Sequence, residues 1–158
     1  MLSPPPWLRL AHHKMPKIYF ASDHAGFELK EKLVAFVRGL GYEVEDCGAF
    51  SFNPEDDYPD FITPCAQKVA EGNSRGVILG KSGEGEAMCA NRAKGIRATV
   101  FYGGNSEIIQ LAREHNNANM LSLGAYFLTE AEARNAVQQF LELPFSASTR
   151  HARRLAKF

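Results

Sequence analysis

Val77-Ile78-Leu79-Gly80-Lys81-Ser82-Gly83-Glu84-Gly85-Glu86-Ala87-Met88-Cys89-Ala90-Asn91-Arg92 changes character twice along its length. Its opening apolar run reads as a buried strand, and the residues from Ala87 onward read as a helix. Between them, Gly80, Gly83 and Gly85 let the backbone turn tightly and bring its N–H groups near a ligand oxygen. The helix start adds unpaired N–H donors and the positive end of a dipole. Ser82 and Glu86 place a hydroxyl and a carboxylate in that anion-friendly turn. An oxyanion cradle beside a carboxylate suits proton transfer next to a carbonyl.

The same alternation extends in both directions. Lys17–Ser22 reads as a first strand, and Leu29, Leu33, Phe36, Val37 and Leu40 share one helix face closed by Gly41. Tyr42–Asp46 is a second short strand, and 48–59 a loop rich in Asn, Pro and Asp. Ile62, Cys65, Ala66 and Val69 mark a helix ended by Gly72-Asn73, before a third strand from Gly76 to Leu79. Arg97–Phe101 is a fourth strand. Asn105 or Ser106 can cap the next helix, whose inner face is expected to carry Ile108, Leu111 and Ala112. Met120–Leu123 is a fifth strand. Thr129 with Glu132 forms a capping box for a helix burying Ala133, Ala136, Val137, Phe140 and Leu141. A basic helix from about Ser148 to Lys157 closes the chain. Strands alternating with helices predict an α/β fold, a five-stranded parallel sheet covered on both faces. Ligands in such folds lie beyond the carboxyl ends of the strands, where Asp23, His24, Ser82 and Glu86 fall.

The 158 residues suit one domain with a real core. Lys+Arg and Asp+Glu are both 18, which argues against a nucleic-acid binder driven by bulk positive charge. Cys47, Cys65 and Cys89 form neither a disulfide framework nor a zinc signature, so a reducing, cytoplasmic setting is expected. No apolar run approaches the ~18 residues of a membrane span. Residues 1–14, with Pro4-Pro5-Pro6 and Trp7, lack the apolar centre of a secretory signal. They are expected to be a flexible extension, or a docking arm through Trp7 and Leu8, preceding a domain over 15–158.

Each candidate residue admits two uses. Asp23 can cap a helix, with His24 at the surface, or the pair can meet a ligand at the free amides. Glu86 is either a first-turn acid favoured by the helix dipole or a desolvated base, while Glu84 is expected to face solvent. His115-Asn116 can end a helix or serve a sugar's ring oxygen and hydroxyl. Arg150 and Arg154 share a helix face, as a solvated tail or a clamp on phosphate. Tyr58 can cover a ligand or pack at the domain edge.

Ser22-Asp23-His24-Ala25-Gly26, Asp57-Tyr58-Pro59-Asp60, Ser82-Gly83-Glu84-Gly85-Glu86, Ala90-Asn91-Arg92, His115-Asn116-Asn117-Ala118-Asn119 and Arg150-His151 with Arg154 occur in this order. Together they resemble the type B ribose-5-phosphate isomerases and the related galactose-6-phosphate isomerases, from Lys17 to Lys157. The resemblance implies a Rossmann-like, three-layer domain that forms a homodimer or dimer of dimers, each site built by two subunits. It implies no metal and no organic cofactor. It assigns Asp23 and His24 to sugar and phosphate, His115 to ring opening, Asn116 to an oxygen, and Arg150 and Arg154 to the phosphate. Members differ in their base: some carry a Cys at the place of Gly80, others a Glu at the place of Glu86, and this chain matches the Glu type. Lys81 stands where Gly is usual, and Tyr126 where an Arg that helps the phosphate is common.

The expected activity is therefore aldose–ketose isomerisation of a phosphorylated sugar through an enediolate. Glu86 is expected to move the proton, and Ser82 and the amides of the loop through Gly83 and Gly85 to stabilise the enediolate oxygen, with Lys81 able either to add positive charge or to crowd the loop. The rival expectation, motivated by Lys81 and Tyr126, is a non-catalytic sugar-phosphate or nucleotide binder on the same scaffold. A dinucleotide enzyme is disfavoured, since the first strand–helix turn lacks G-x-G-x-x-G.

Overall fold

The structure, a computed structural model, describes residues 15–158. The expectations for residues 1–14, and for Trp7 and Leu8 among them, lie outside the described residues. Strands β1 (Lys17–Ser22), β2 (Val44–Asp46), β3 (Ser74–Gly80), β4 (Ala98–Phe101) and β5 (Met120–Gly124) form one five-stranded sheet in the order β2-β1-β3-β5-β4. Every pairing is parallel. The helices are α1 (Phe27–Gly39), α2 (Pro59–Ala70), α3 (Glu84–Ala90), α4 (Glu107–Glu114), α5 (Glu130–Glu142) and α6 (Thr149–Leu155). Short 3-10 turns follow β1 at His24–Gly26 and β5 at Ala125–Phe127.

Strand periodicity sorts the core into two layers around the sheet. Ile18, Phe20, Val77, Leu79, Leu121 and Leu123 pack with Leu33 and Val37 of α1, Ile109 of α4, and Val137 and Phe140 of α5. Ala21, Ile78 and Met120 point the other way, onto Ile62, Cys65 and Val69 of α2 and Ala90 of α3. With helices on both faces, β3 has no solvent side, which is why Val77-Ile78-Leu79 shows no polar alternation. Truncating Ile78 or Leu79 to Ala is expected to cost about 2–5 kcal/mol. The chain leaves β1 toward β2 on one side and leaves β3 toward β4 on the other. That reversal opens a crevice at the carboxyl ends of β1 and β3. Gly26 lets the turn after β1 lie against β3, since a Cβ there would stand 2.6 Å from Leu79 Cβ.

Local chemistry fixes the outer elements. Thr129 and Glu132 complete the expected capping box, with Oγ1 accepting from Glu132 N at 3.1 Å and Oε1 from Thr129 N at 3.0 Å. Asn105 Oδ1 accepts from Glu107 N at 2.9 Å and starts α4. Lys30, fully buried, donates to Asp46 Oδ2 at 2.6 Å and ties α1 to the end of β2.

The face of α4 differs from its expected one. Ile109, Ala112 and Arg113 point inward, while Ile108 and Leu111 are exposed. The Arg113 guanidinium sets this rotation. It donates to Leu143 O at 3.0 Å, Ala118 O at 2.6 Å and Asn117 Oδ1 at 3.1 Å. Satisfying three acceptors lets a charged residue take a core position that hydrophobicity alone would deny it.

Candidate active site

The carboxyl end of β3 carries the densest set of constraints. Gly83 has φ +82°, and a Cβ there would stand 3.0 Å from the Leu123 carbonyl carbon. Ser122, buried in β5, donates its hydroxyl to Gly83 O at 2.6 Å and pins the turn to the sheet. Ser82 Oγ accepts from Glu84 N at 3.2 Å, which leaves the hydroxyl proton available to a ligand. Tyr58, at the start of α2, lies across the turn: its hydroxyl would be 2.7 Å from a Cβ on Gly85.

Glu86 sits in the first turn of α3 and is only 5% exposed, while Glu84 faces solvent as expected. Burial pushes the Glu86 carboxyl above its ordinary range, and the charge of Asp23 adds to this. Its own N–H and that of Gly83 pull the other way. The carboxylate reaches back over the end of β3, and a Cβ built on Gly80 would overlap it. A side chain at 80 would therefore oblige the Glu86 carboxylate to swing away from this position.

The end of β1 supplies the opposite wall. Asp23 is 7% exposed and accepts from Ala25 N at 3.0 Å, so it does cap the 3-10 turn. Burial raises its pKa despite that bond. His24 is held by a residue that the sequence reading left inside a polar loop. Asp56 Oδ1 accepts from His24 N at 3.0 Å and contacts Nδ1 at 2.6 Å. No local pattern marks Asp56 in advance; only the folded loop brings it to β1. Asp23, His24 and Asp56 offer atoms within 4.8 Å of one another, a spacing a cation could use. Here the Nδ1 contact is spent inside the trio.

Lys81 and Tyr126 touch each other. The Lys81 ammonium lies 5.2 Å from the centre of the Tyr126 ring, and Tyr126 N donates to Lys81 O at 3.2 Å.

The remaining candidates lie elsewhere. His115 caps the carboxyl end of α4, and its ring stacks on His151 at 4.1 Å and 17°. Arg150 and Arg154 lie exposed on α6, which buries no residue. Slight desolvation, then the charges of His115, Arg150 and Arg154, lower the pKa of His151. A cavity of about 390 Å³ beside Asn116 is lined also by Arg97, Thr99 and Phe158. All of these precede β5 or flank its amino end. Met120 pairs with Gly76 and Gly124 with Gly80, so Glu86 lies past the opposite end of the sheet. At about 3.3 Å per residue, β5 alone separates the two groups by roughly 13 Å. One chain thus brings together Asp23, His24, Tyr58, Ser82, Gly83, Gly85 and Glu86, with Lys81 at their edge. It holds His115, Asn116, Arg150 and Arg154 apart from them.

Residues 18–158 match the family described as Ribose/Galactose Isomerase. The chain is 44% identical over 140 residues to the ribose-5-phosphate isomerase B of Mycolicibacterium paratuberculosis, covering 88% of this chain and 87% of that protein. It is 39% identical over 140 residues to the ribose-5-phosphate isomerase B of Mycobacterium tuberculosis, with 88% and 85% covered. Among solved structures, the ribose-5-phosphate isomerase B of Mycoplasma genitalium with bound ribulose-5-phosphate is similar at a TM-score of 0.86 and 35% identity. That match covers 92% of this chain and 95% of that one.

Proposed function

The chain belongs to the ribose/galactose isomerase family and is an aldose–ketose isomerase of phosphorylated sugars; we propose that it interconverts ribose 5-phosphate and ribulose 5-phosphate with Glu86 as the base. The observation that carries the base assignment is the buried carboxylate of Glu86 folded over Gly80, beside a pinned glycine turn. A desolvated carboxyl with a raised pKa suits a group that must both take and return a proton.

In the reaction, His115 assists opening of the sugar ring, and Asn116 holds an oxygen of the chain. Glu86 removes the proton from the carbon beside the carbonyl and leaves an enediolate. The Ser82 hydroxyl and the turn amides, Gly83 and Gly85 among them, stabilise the charged oxygen, with Lys81 adding positive charge from the edge. Glu86 then returns the proton to the neighbouring carbon, and the hydroxyl proton passes from the oxygen of the carbon that lost its proton to the oxygen of the one that gains it, which completes the ketose. Asp23 and His24 contact the sugar and phosphate, Tyr58 covers them, and Arg150 and Arg154 grip the phosphate, which fixes the carbon chain so that one carboxylate serves both carbons.

The separation of the two residue groups supports a homodimer in which the amino-end group of one copy completes the carboxyl-end group of the other. Among the described residues no helix is long and apolar enough to cross a membrane. With Cys47, Cys65 and Cys89 free, a cytoplasmic setting is the consistent one. The isomerase domain runs over 15–158.

The test is solvent-proton exchange. In deuterated water, ribose 5-phosphate is expected to gain one enzyme-dependent deuterium, and allose and galactose phosphates much less. Glu86→Gln is expected to lose the exchange. Full turnover in that variant rules out this base. Tight binding of ribose 5-phosphate with neither exchange nor ketose formation overturns ribose 5-phosphate as the substrate.

A further inference from the structure

Asp56 has no role in the mechanism above, yet its geometry is that of a functional support. Its side chain is only 8% exposed and lies in the loop before α2, brought across to the end of β1. One oxygen, Oδ1, takes both the backbone N–H of His24 and the imidazole Nδ1. The other, Oδ2, is buried and has no hydrogen-bond partner among the described residues. A buried carboxylate with an idle oxygen is costly unless its charge is used.

We propose that Asp56 is a positioning residue that fixes His24 as the Nδ1–H form and so turns Nε2 toward the substrate. The inference rests on the reading that His24 contacts the sugar phosphate. A histidine has two ring nitrogens, and the bond made by one decides what the other can do. With Nδ1 committed to Asp56, Nε2 is the atom left to meet a ligand. The two bonds to one oxygen lock the ring relative to its own backbone, which neither bond does alone. The Phe52 ring lies beside the imidazole, nearly perpendicular to it, with 6.3 Å between ring centres.

The same contact sets the charge of the ring. The hydrogen bond to Asp56 raises the His24 pKa most, and the charges of Asp23, Asp56 and Glu55 add to it against mild desolvation. A raised histidine pKa means that the imidazolium persists to higher pH, and that its grip on an anionic oxygen is lost as pH rises through that elevated value. His24 then presents Nε2–H as a charge-assisted donor, the stronger kind of contact to phosphate.

The experiment compares wild type with Asp56→Asn, Asp56→Ala and His24→Gln. Nitrogen-15 NMR of the imidazole reads the tautomer and titration of His24 without reference to catalysis. Steady-state kinetics with ribose 5-phosphate reads KM and kcat separately. In wild type, the neutral ring is expected as the Nδ1–H tautomer. In Asp56→Asn, which keeps an acceptor and the shape, the His24 titration midpoint is expected to move down. KM is expected to rise several-fold, with its alkaline rise starting at lower pH and kcat within about twofold. Asp56→Ala is expected to lose the tautomer preference and raise KM further. An unaltered His24 titration midpoint in Asp56→Asn, or an unaltered tautomer in a folded Asp56→Ala, overturns the inference, even with KM raised in His24→Gln. Unaltered KM in His24→Gln overturns the substrate contact itself and the inference with it, whatever the NMR shows. If Asp56→Ala does not fold, the isosteric Asn variant decides.

Discussion

The two ends of the sheet carry opposite kinds of structure. At the carboxyl end, Glu86, Asp23 and Asp56 are buried, the glycine turn is pinned by Ser122, and His24 is held twice by Asp56. At the amino end, Arg150 and Arg154 stand exposed on a helix with no buried residue, and His115 leans on His151. The difference separates two demands of the chemistry. A proton-transfer group needs desolvation and exact neighbours, which a folded core supplies by itself. A phosphate grip needs reach and charge, and it can wait on a surface until another surface arrives. The division predicts that each region fails in its own way.

The largest expected effect comes from mixing two crippled chains. Assayed with substrate far below KM, Glu86→Gln is expected to be nearly inactive alone and Arg154→Ala strongly impaired, and the two can complement each other if the regions meet across a two-fold interface. Refolded together in equal amounts, they are expected to recover about a quarter of wild-type activity, because half the dimers are hybrids with one intact site of two. No recovery, with hybrids verified by mass spectrometry, breaks the division. Next comes Gly80→Ala. It crowds the Glu86 carboxylate without touching the core, so kcat is expected to fall by about 10²-fold with little change in Tm. A fall in Tm as large as a core truncation's would show that Gly80 serves packing instead. At the other end, Arg150→Ala with Arg154→Ala is expected to raise KM by about 10–100-fold and leave Tm alone, in line with lost charged hydrogen bonds. Kinetics and thermal melts check both halves of that statement.

The smallest effects concern pH. Burial raises the Glu86 pKa, so the base form is lost on the acid side at a higher pH than the ordinary 4.5 implies, and the acid limb of kcat is expected above that value. The sign for stability follows. A carboxyl with a raised folded-state pKa stabilises most below its unfolded pKa, and that contribution is lost as pH rises through the folded value. At neutral pH Glu86→Gln is therefore expected to raise Tm slightly while activity collapses. A lower Tm would place Glu86 in the fold's support instead of its chemistry.

Much of this was legible before any coordinates. Strand β3, the capping box at Thr129 and the glycine turn all follow from local period and side-chain chemistry, and local rules act at short range. The face of α4 was not legible. Ile108, Leu111 and Ala112 fit one arc of an eight-residue helix, and Ile109 with Ala112 fits the next. Period alone does not choose between them, and the choice falls to Arg113, whose acceptors come from the turn after α4 and from beyond α5. Asp56 escaped for the same reason. Its partner His24 lies 32 positions away, and nothing near Asp56 announces the meeting. The motif order carried the family, and the folded chain added which motifs sit side by side.

The overlap between position 80 and the carboxylate of position 86 makes the two places a linked pair for any redesign. A side chain added at the first obliges the acid at the second to swing to another rotamer, so an alteration in the strand is read out through the helix that follows it.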